Sequence, residues 1–165
     1  MRKIAIVGFP NVGKSLVFNN LTNEYASVSN YPGTTVEVYR AVGRIGKSEF
    51  EFIDTPGMYS LLSITDEEKV ARRILMEEEV ILVLHVVDAK NLERMLPLTF
   101  QLQEAGFKII LVLNMIDEAR ENGIKLNLEL LEKRLSIPVV ATCSTTKEGI
   151  DILKGKIEEY VRKIP

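Results

Sequence analysis

The chemistry in this chain is densest at Gly8-Phe9-Pro10-Asn11-Val12-Gly13-Lys14-Ser15. These residues match the pattern G-x-x-x-x-G-K-[ST] in full. Gly8 and Gly13 let the backbone curl until successive N–H groups point inward at an anion. The helix expected to start there adds its positive end. Lys14 would reach the β- and γ-phosphates of a nucleotide, and the Ser15 hydroxyl would ligate Mg²⁺. Asn11, Val12 and Leu16 complete this part of the binding set. A glycine-rich turn that happens to hold Lys and Ser is the bland alternative. It does not account for strand, loop and helix following in the required order.

Asp54-Thr55-Pro56-Gly57 also follows a strand-like run. Alone, D-x-x-G is usually just a turn; about forty residues after a phosphate loop it gains a role. Asp54 would hold the metal through water, and the Gly57 N–H would bond the γ-phosphate. Asn114-Met115-Ile116-Asp117 closes a very apolar run. The Asp117 carboxylate can accept from the N1–H and N2–H₂ edge of guanine. Adenine would leave that carboxylate unpaired, a discrimination of several kcal/mol. Asn114 would tie this base loop to the phosphate loop and touch the purine, with Met115 beside it. Ser144 and Thr145 would offer N–H groups to guanine O6, although a Cys-Ser-Thr-Thr turn can equally cap a helix. Cys143 reads as a small buried residue near the base.

Residues 27–35, Ser-Val-Ser-Asn-Tyr-Pro-Gly-Thr-Thr, are polar and rich in turn formers. They fit a mobile loop whose threonine closes over Mg²⁺ and the γ-phosphate only in the triphosphate state. Thr35 is assigned that role with Thr34 as the alternative, and Gly33 and Thr34 join the binding set. Residues 58–63 would form a second switch. Lys14, Thr35, Gly57 and Asn11 are the candidate catalytic groups.

These residues need a frame. Apolar runs of strand length recur at 4–7, 36–42, 50–53, 80–87, 109–113 and 139–142, with a hairpin expected across 43–47. Ile150, Leu153, Ile157, Val161 and Ile164 have helical spacing, as do Leu126, Leu128, Leu131 and Leu135. The pattern predicts a three-layer α/β fold, an about six-stranded and mostly parallel sheet with helices on both faces. Four polar segments, at 8–15, 54–57, 114–117 and 143–145, each begin where an apolar run stops. In a parallel sheet all four lie along the carboxyl edge, where such sheets bind ligands.

The 165 residues are read as one domain, 1–165. Basic and acidic residues number 21 and 23 and are interspersed, so no nucleic-acid surface is expected. The lone cysteine excludes an internal disulfide and fits a reducing, cytosolic compartment. No apolar run approaches the roughly 20 residues of a spanning helix, so no membrane insertion by this chain is expected. No cluster of His, Cys and carboxylates has metal-ligand spacing. The lone histidine, His85, reads as a satisfied core residue, and Glu77-Glu78-Glu79 as a solvated helix end.

Together GFPNVGKS, the switch threonine, DTPG, NMID and CST resemble the five motifs of translation-factor-related P-loop GTPases, with a Ras-like G domain fold. Residues 30–37, 54–61 and 113–119 narrow the match, for they look like the switch and base regions of the ferrous iron transport protein B family. That resemblance implies a GTPase domain on the cytoplasmic side of a cell-membrane protein. Its partners would be GTP or GDP and the helical and membrane-spanning permease parts of the same transporter, with oligomers allowed. It also implies that a chain ending at Pro165 is an excised domain or a short relative. Met58 stands where Ras-like switches carry the glutamine that orients water. Members of the resembled group often use K⁺, held partly by a phosphate-loop asparagine. Asn11 has the matching position; it either ligates K⁺ or only shapes the loop. A ribosome-assembly or tRNA-modification GTPase shares most of these motifs, and a pure GTP sensor would carry the same residues.

Overall fold

Strand-length apolar runs alternating with amphipathic stretches fold here into one sheet flanked by helices. The computed structural model describes residues 1–22 and 26–165. Its strands are Lys3–Val7 (β1), Ser27–Asn30 (β2), Glu37–Ile45 (β3), Ser48–Asp54 (β4), Val80–Asp88 (β5), Ile109–Asn114 (β6) and Val139–Ala141 (β7). They are ordered β2-β3-β4-β1-β5-β6-β7. Strands β4, β1, β5, β6 and β7 pair in parallel, whereas β3 runs antiparallel to both β2 and β4. Every residue of β6 is buried. Because consecutive strand residues face opposite sides, that requires cover on both faces.

The helices are Lys14–Leu21 (α1), Asp66–Glu77 (α2), Leu92–Glu104 (α3), Ile116–Glu121 (α4), Leu128–Leu135 (α5) and Ile150–Arg162 (α6). In α6 the buried residues are Ile150, Leu153, Ile157 and Val161, as their spacing requires. Asn127 caps α5 through the Leu130 N–H, so Leu126 lies just outside the helix. Thr65 and Glu68 form a reciprocal capping box that starts α2. A small apolar cluster of Tyr31, Val36, Val38, Ile53, Val70 and Ile74 joins α2 to the antiparallel edge. No helix among the described residues is long and apolar enough to cross a membrane.

Four expectations need correction. The sheet has seven strands, because Ser27–Asn30, expected to be loop, pairs with β3 in the register Ser27↔Arg40 to Asn30↔Glu37. All four β2 residues are exposed, so the strand has no apolar face to betray it. The hairpin turn is only Gly46-Lys47, for β3 runs through Gly43 to Ile45. Glu78 is not a freely solvated helix end. It accepts from Arg40 Nη1 and Nη2, each at 2.8 Å, and from Lys3 Nζ at 2.8 Å. Those two cations hold its carboxyl at about 2, against the cost of burial. His85 is core but only half satisfied. Its Nδ1 lies 2.8 Å from Thr99 Oγ1, and its Nε2 has no partner among the described residues.

Candidate functional site

Parallel pairing of β1, β4, β6 and β7 brings the four polar segments to one sheet edge. The loop after β1 wraps back over the start of α1, and Val12 is buried within it. Gly13 has φ +88°, and a Cβ there would lie 2.3 Å from Asn114 Nδ2. Both the left-handed backbone and the close approach demand glycine at that point. Asn11 is also left-handed, at φ 66°, a conformation asparagine tolerates better than most residues.

Beneath the loop, Ser15 Oγ donates to Asp54 Oδ2 at 2.9 Å. Asp54 Oδ1 is buried and has no partner among the described residues. Burial pushes the Asp54 carboxyl up, opposed by the Lys14 charge and the Ser15 hydrogen bond. Burial likewise pushes the Lys14 ammonium down, opposed by Asp54. The pair is thus an ammonium and a carboxylate with too few counter-charges. A polyanion near Lys14 and a divalent cation between Ser15 and Asp54 would complete it. The orphan carboxylate oxygen and its hydroxyl neighbour fit Mg²⁺, which takes few protein ligands and keeps waters.

Asn114 joins three loops. Its Nδ2 donates to Val12 O at 2.9 Å, and its Oδ1 accepts from Thr142 Oγ1 at 2.9 Å and Ser144 Oγ at 3.0 Å. The Ser144 N–H also approaches that oxygen at 3.3 Å, so it is not free for another acceptor. Asn20 of α1 holds the same turn through Ser144 O at 2.9 Å. Around this knot lies a cavity of about 120 Å³ lined by Gly13, Leu16, Asn114, Met115, Asp117, Glu118, Cys143, Ser144 and Thr145. Cys143 is buried and Thr145 is exposed.

Residues 31–36 form a bonded turn beside α2, where Thr34 and Thr35 line a cavity with Asp66, Lys69 and Arg73. Tyr31 N–H donates to Val36 O at 2.8 Å, and Thr34 Oγ1 donates to Tyr31 O at 2.8 Å while accepting from the Val36 N–H at 3.1 Å. Thr35 and Gly33 are exposed. Gly57 abuts Pro10, and Met58, fully buried, donates its N–H to Gly8 O at 2.9 Å.

The segments 8–15, 54–57, 114–117 and 143–145 therefore lie along one edge, whereas no hydrogen bond among the described residues ties Thr34 or Thr35 to them. Several supporting residues were not anticipated. Thr142 and Asn20 carry no local signal, being recognisable only through long-range contacts. Glu68 could have been found as the last member of the Thr65-Asp66-Glu67-Glu68 capping box. Gln101 bonds Ser60 and Leu61 from α3, and nothing in its neighbourhood announces it.

The sheet order, the phosphate loop between β1 and α1 and the acidic and asparagine-bearing loops at the carboxyl edge define a P-loop GTPase fold. Family comparison agrees: the ferrous iron transport protein B family matches residues 2–157. The Fe(2+) transporter FeoB of Campylobacter jejuni is 42% identical over 155 residues, covering 94% of this chain and 25% of that protein. The cytosolic domain of the Thermotoga maritima FeoB iron transporter, in its GMPPNP form, superposes with a TM-score of 0.94. It is 43% identical and covers 99% of this chain and 65% of that one. The G domain of the same transporter gives a TM-score of 0.90 at 42% identity, covering 98% of this chain and 99% of that one. The chain belongs to the ferrous iron transport protein B family and corresponds to its N-terminal G domain. It spans about a quarter of the C. jejuni relative's length.

Proposed function

We propose that residues 1–165 act as one guanine-nucleotide switch domain that binds GTP, hydrolyses it to GDP and phosphate, and regulates Fe²⁺ uptake by a longer transporter. The observation that carries this reading is the Asn114 knot. Its bonds to Val12 and Ser144 hold the cavity that Asp117 lines, where a base would sit, directly against the phosphate loop. A purine base and its phosphates must be gripped simultaneously, and these bonds would set the spacing between their two sites.

Phosphate oxygens would lie in the curl of Gly8, Asn11, Val12, Gly13 and Lys14, with the Lys14 ammonium neutralising the β- and γ-groups. Leu16, Met115 and Cys143 would flank the base, Asp117 would accept from its N1–H and N2–H₂ edge, and Thr145 would supply an N–H to O6. Because the Ser144 N–H is taken by Asn114, Ser144 contributes by bracing the loop. Ser15, Thr35 and Asp54 would hold Mg²⁺. When bound, that ion offsets the charge developing on the β- and γ-oxygens. Between the two threonines the turn favours Thr35, since the Thr34 hydroxyl is spent on Tyr31 and Val36. Gly33 lets the turn approach, and the Gly57 N–H would bond the γ-phosphate.

The apolar Met58 side chain cannot orient the attacking water, so turnover by the isolated chain should be slow, on the order of 10⁻⁴ to 10⁻² s⁻¹. K⁺ at Asn11 would supply the missing positive charge; the left-handed Asn11 backbone equally suits a loop-shaping role. Single-turnover hydrolysis with Mg²⁺ in K⁺ or in Na⁺ tests the scheme. Faster turnover in K⁺, lost in Asn11→Ala, supports the cation role. Equal slow rates in both salts move the missing group to another part of the transporter. GTP binding with no turnover at all would make the domain a sensor and overturn the enzymatic half of the proposal.

A further inference from the structure

Residues 56–64 belong to no helix and no strand, so their N–H groups need partners elsewhere. Side chains from two helices supply partners for three of them, Tyr59, Leu61 and Ile64. Glu68 of α2 accepts from Tyr59 N–H at 3.0 Å, Thr65 N–H at 3.3 Å and Ile64 N–H at 3.4 Å. Gln101 of α3 takes two donors on one amide oxygen, Leu61 N–H at 2.7 Å and Ser60 Oγ at 3.1 Å. Ser60 Oγ in turn accepts from the Leu62 N–H at 3.0 Å.

The other end of this strap is tied to the phosphate loop. Met58 N–H donates to Gly8 O, and a Cβ on Gly57 would meet Pro10 Cγ at 2.8 Å. Gly57 through Leu61 is thus held between the phosphate loop and α3. The position of α3 along the sheet is itself pinned, because fully buried Thr99 bonds His85 of β5 two residues before Gln101. Glu68 also starts its own helix, so its loss would disturb α2. The Gln101 amide oxygen, by contrast, bonds only the strap among the described residues.

We infer that Gln101 is a positioning residue for GTP hydrolysis. Through Ser60 and Leu61 it fixes the strap and so sets where the Gly57 N–H meets the γ-phosphate. The inference rests on the GTPase reading above. Gln101→Leu keeps the size and removes the acceptor; Gln101→Glu keeps an acceptor oxygen. In single-turnover assays with Mg²⁺, the Leu variant should hydrolyse GTP about tenfold more slowly with GDP affinity unchanged within about twofold. The Glu variant should recover most of the rate. A Leu variant at the wild-type rate overturns the inference. So does one whose rate, GDP affinity and thermal stability fall together, which would mark a purely structural contact. If the wild type itself does not hydrolyse GTP, the enzymatic reading fails separately. Affinity for a non-hydrolysable GTP analogue relative to GDP then decides. It should drop in Gln101→Leu and hold in Gln101→Glu, and equal ratios in all three proteins overturn the role.

Discussion

Asp117 and His85 show how differently two titratable side chains can matter. Asp117 lies in the wall of the cavity around Asn114, where an acceptor-only carboxylate would select a base edge with two donors. Asparagine there would present one acceptor and one donor, matching xanthine, whose C2 oxygen replaces the guanine amine. Asp117→Asn should weaken GTP binding about 100-fold or more and improve xanthosine triphosphate binding, read by nucleotide titration. Unchanged GTP affinity would remove Asp117 from the base site. His85 is fully buried, and burial holds its pKa down at about 3. The native state keeps it neutral while the unfolded chain protonates near 6.5. Below that value the unfolded state binds more protons, so stability falls with falling pH by about 1.4 kcal/mol per unit. Because the chain has no other histidine, denaturant unfolding between pH 6 and pH 5 should show this slope. His85→Leu should flatten it, whatever the change in overall stability.

Among the elements, what the sequence revealed depended on where the apolar residues fell. The central strands β1, β5 and β6 are nearly continuous apolar runs and could be placed within a residue or two. Asn114 and Lys14 were legible because each ends or follows such a run. Strand β2 was hidden, since Ser27-Val28-Ser29-Asn30 has no buried face and its pairing is a long-range fact about β3. The acidic run 77–79 misled for a related reason: Glu78 meets Arg40 and Lys3 only after β1, β3 and the end of α2 converge. That junction carries its own prediction. The folded carboxyl titrates at about 2 instead of 4.5, so its stabilisation is complete above about pH 4.5 and fades as pH falls toward 2. Glu78→Gln should cost about 1–2 kcal/mol at pH 7, with solvent screening limiting the loss. Urea unfolding checks it, and the gap between variant and wild type should shrink on acidification.

For the molecule as a whole, the nucleotide would act as a missing piece of the structure. The phosphate loop, the Asp54 loop and the Asn114 loop come from distant parts of the chain and meet through Ser15–Asp54 and Val12–Asn114. The loops are cross-linked in pairs, Val12 to Asn114 and Ser15 to Asp54, while Asp54 Oδ1 stays unpartnered among the described residues. A ligand bridging phosphate and base sites would join them all and bind only the folded state. The T. maritima G domain of nearly the same extent has a crystal structure, which supports study of this unit alone. GDP with Mg²⁺ at 100 times its dissociation constant should add about 2.7 kcal/mol, raising the melting temperature by roughly 5–10 °C. ADP under the same conditions should add almost nothing, because adenine cannot satisfy Asp117. Equal shifts from both nucleotides would mean that the phosphate loop alone does the binding. The base loop would then only brace the fold, and the guanine half of the proposed function would fail while the phosphate half stood.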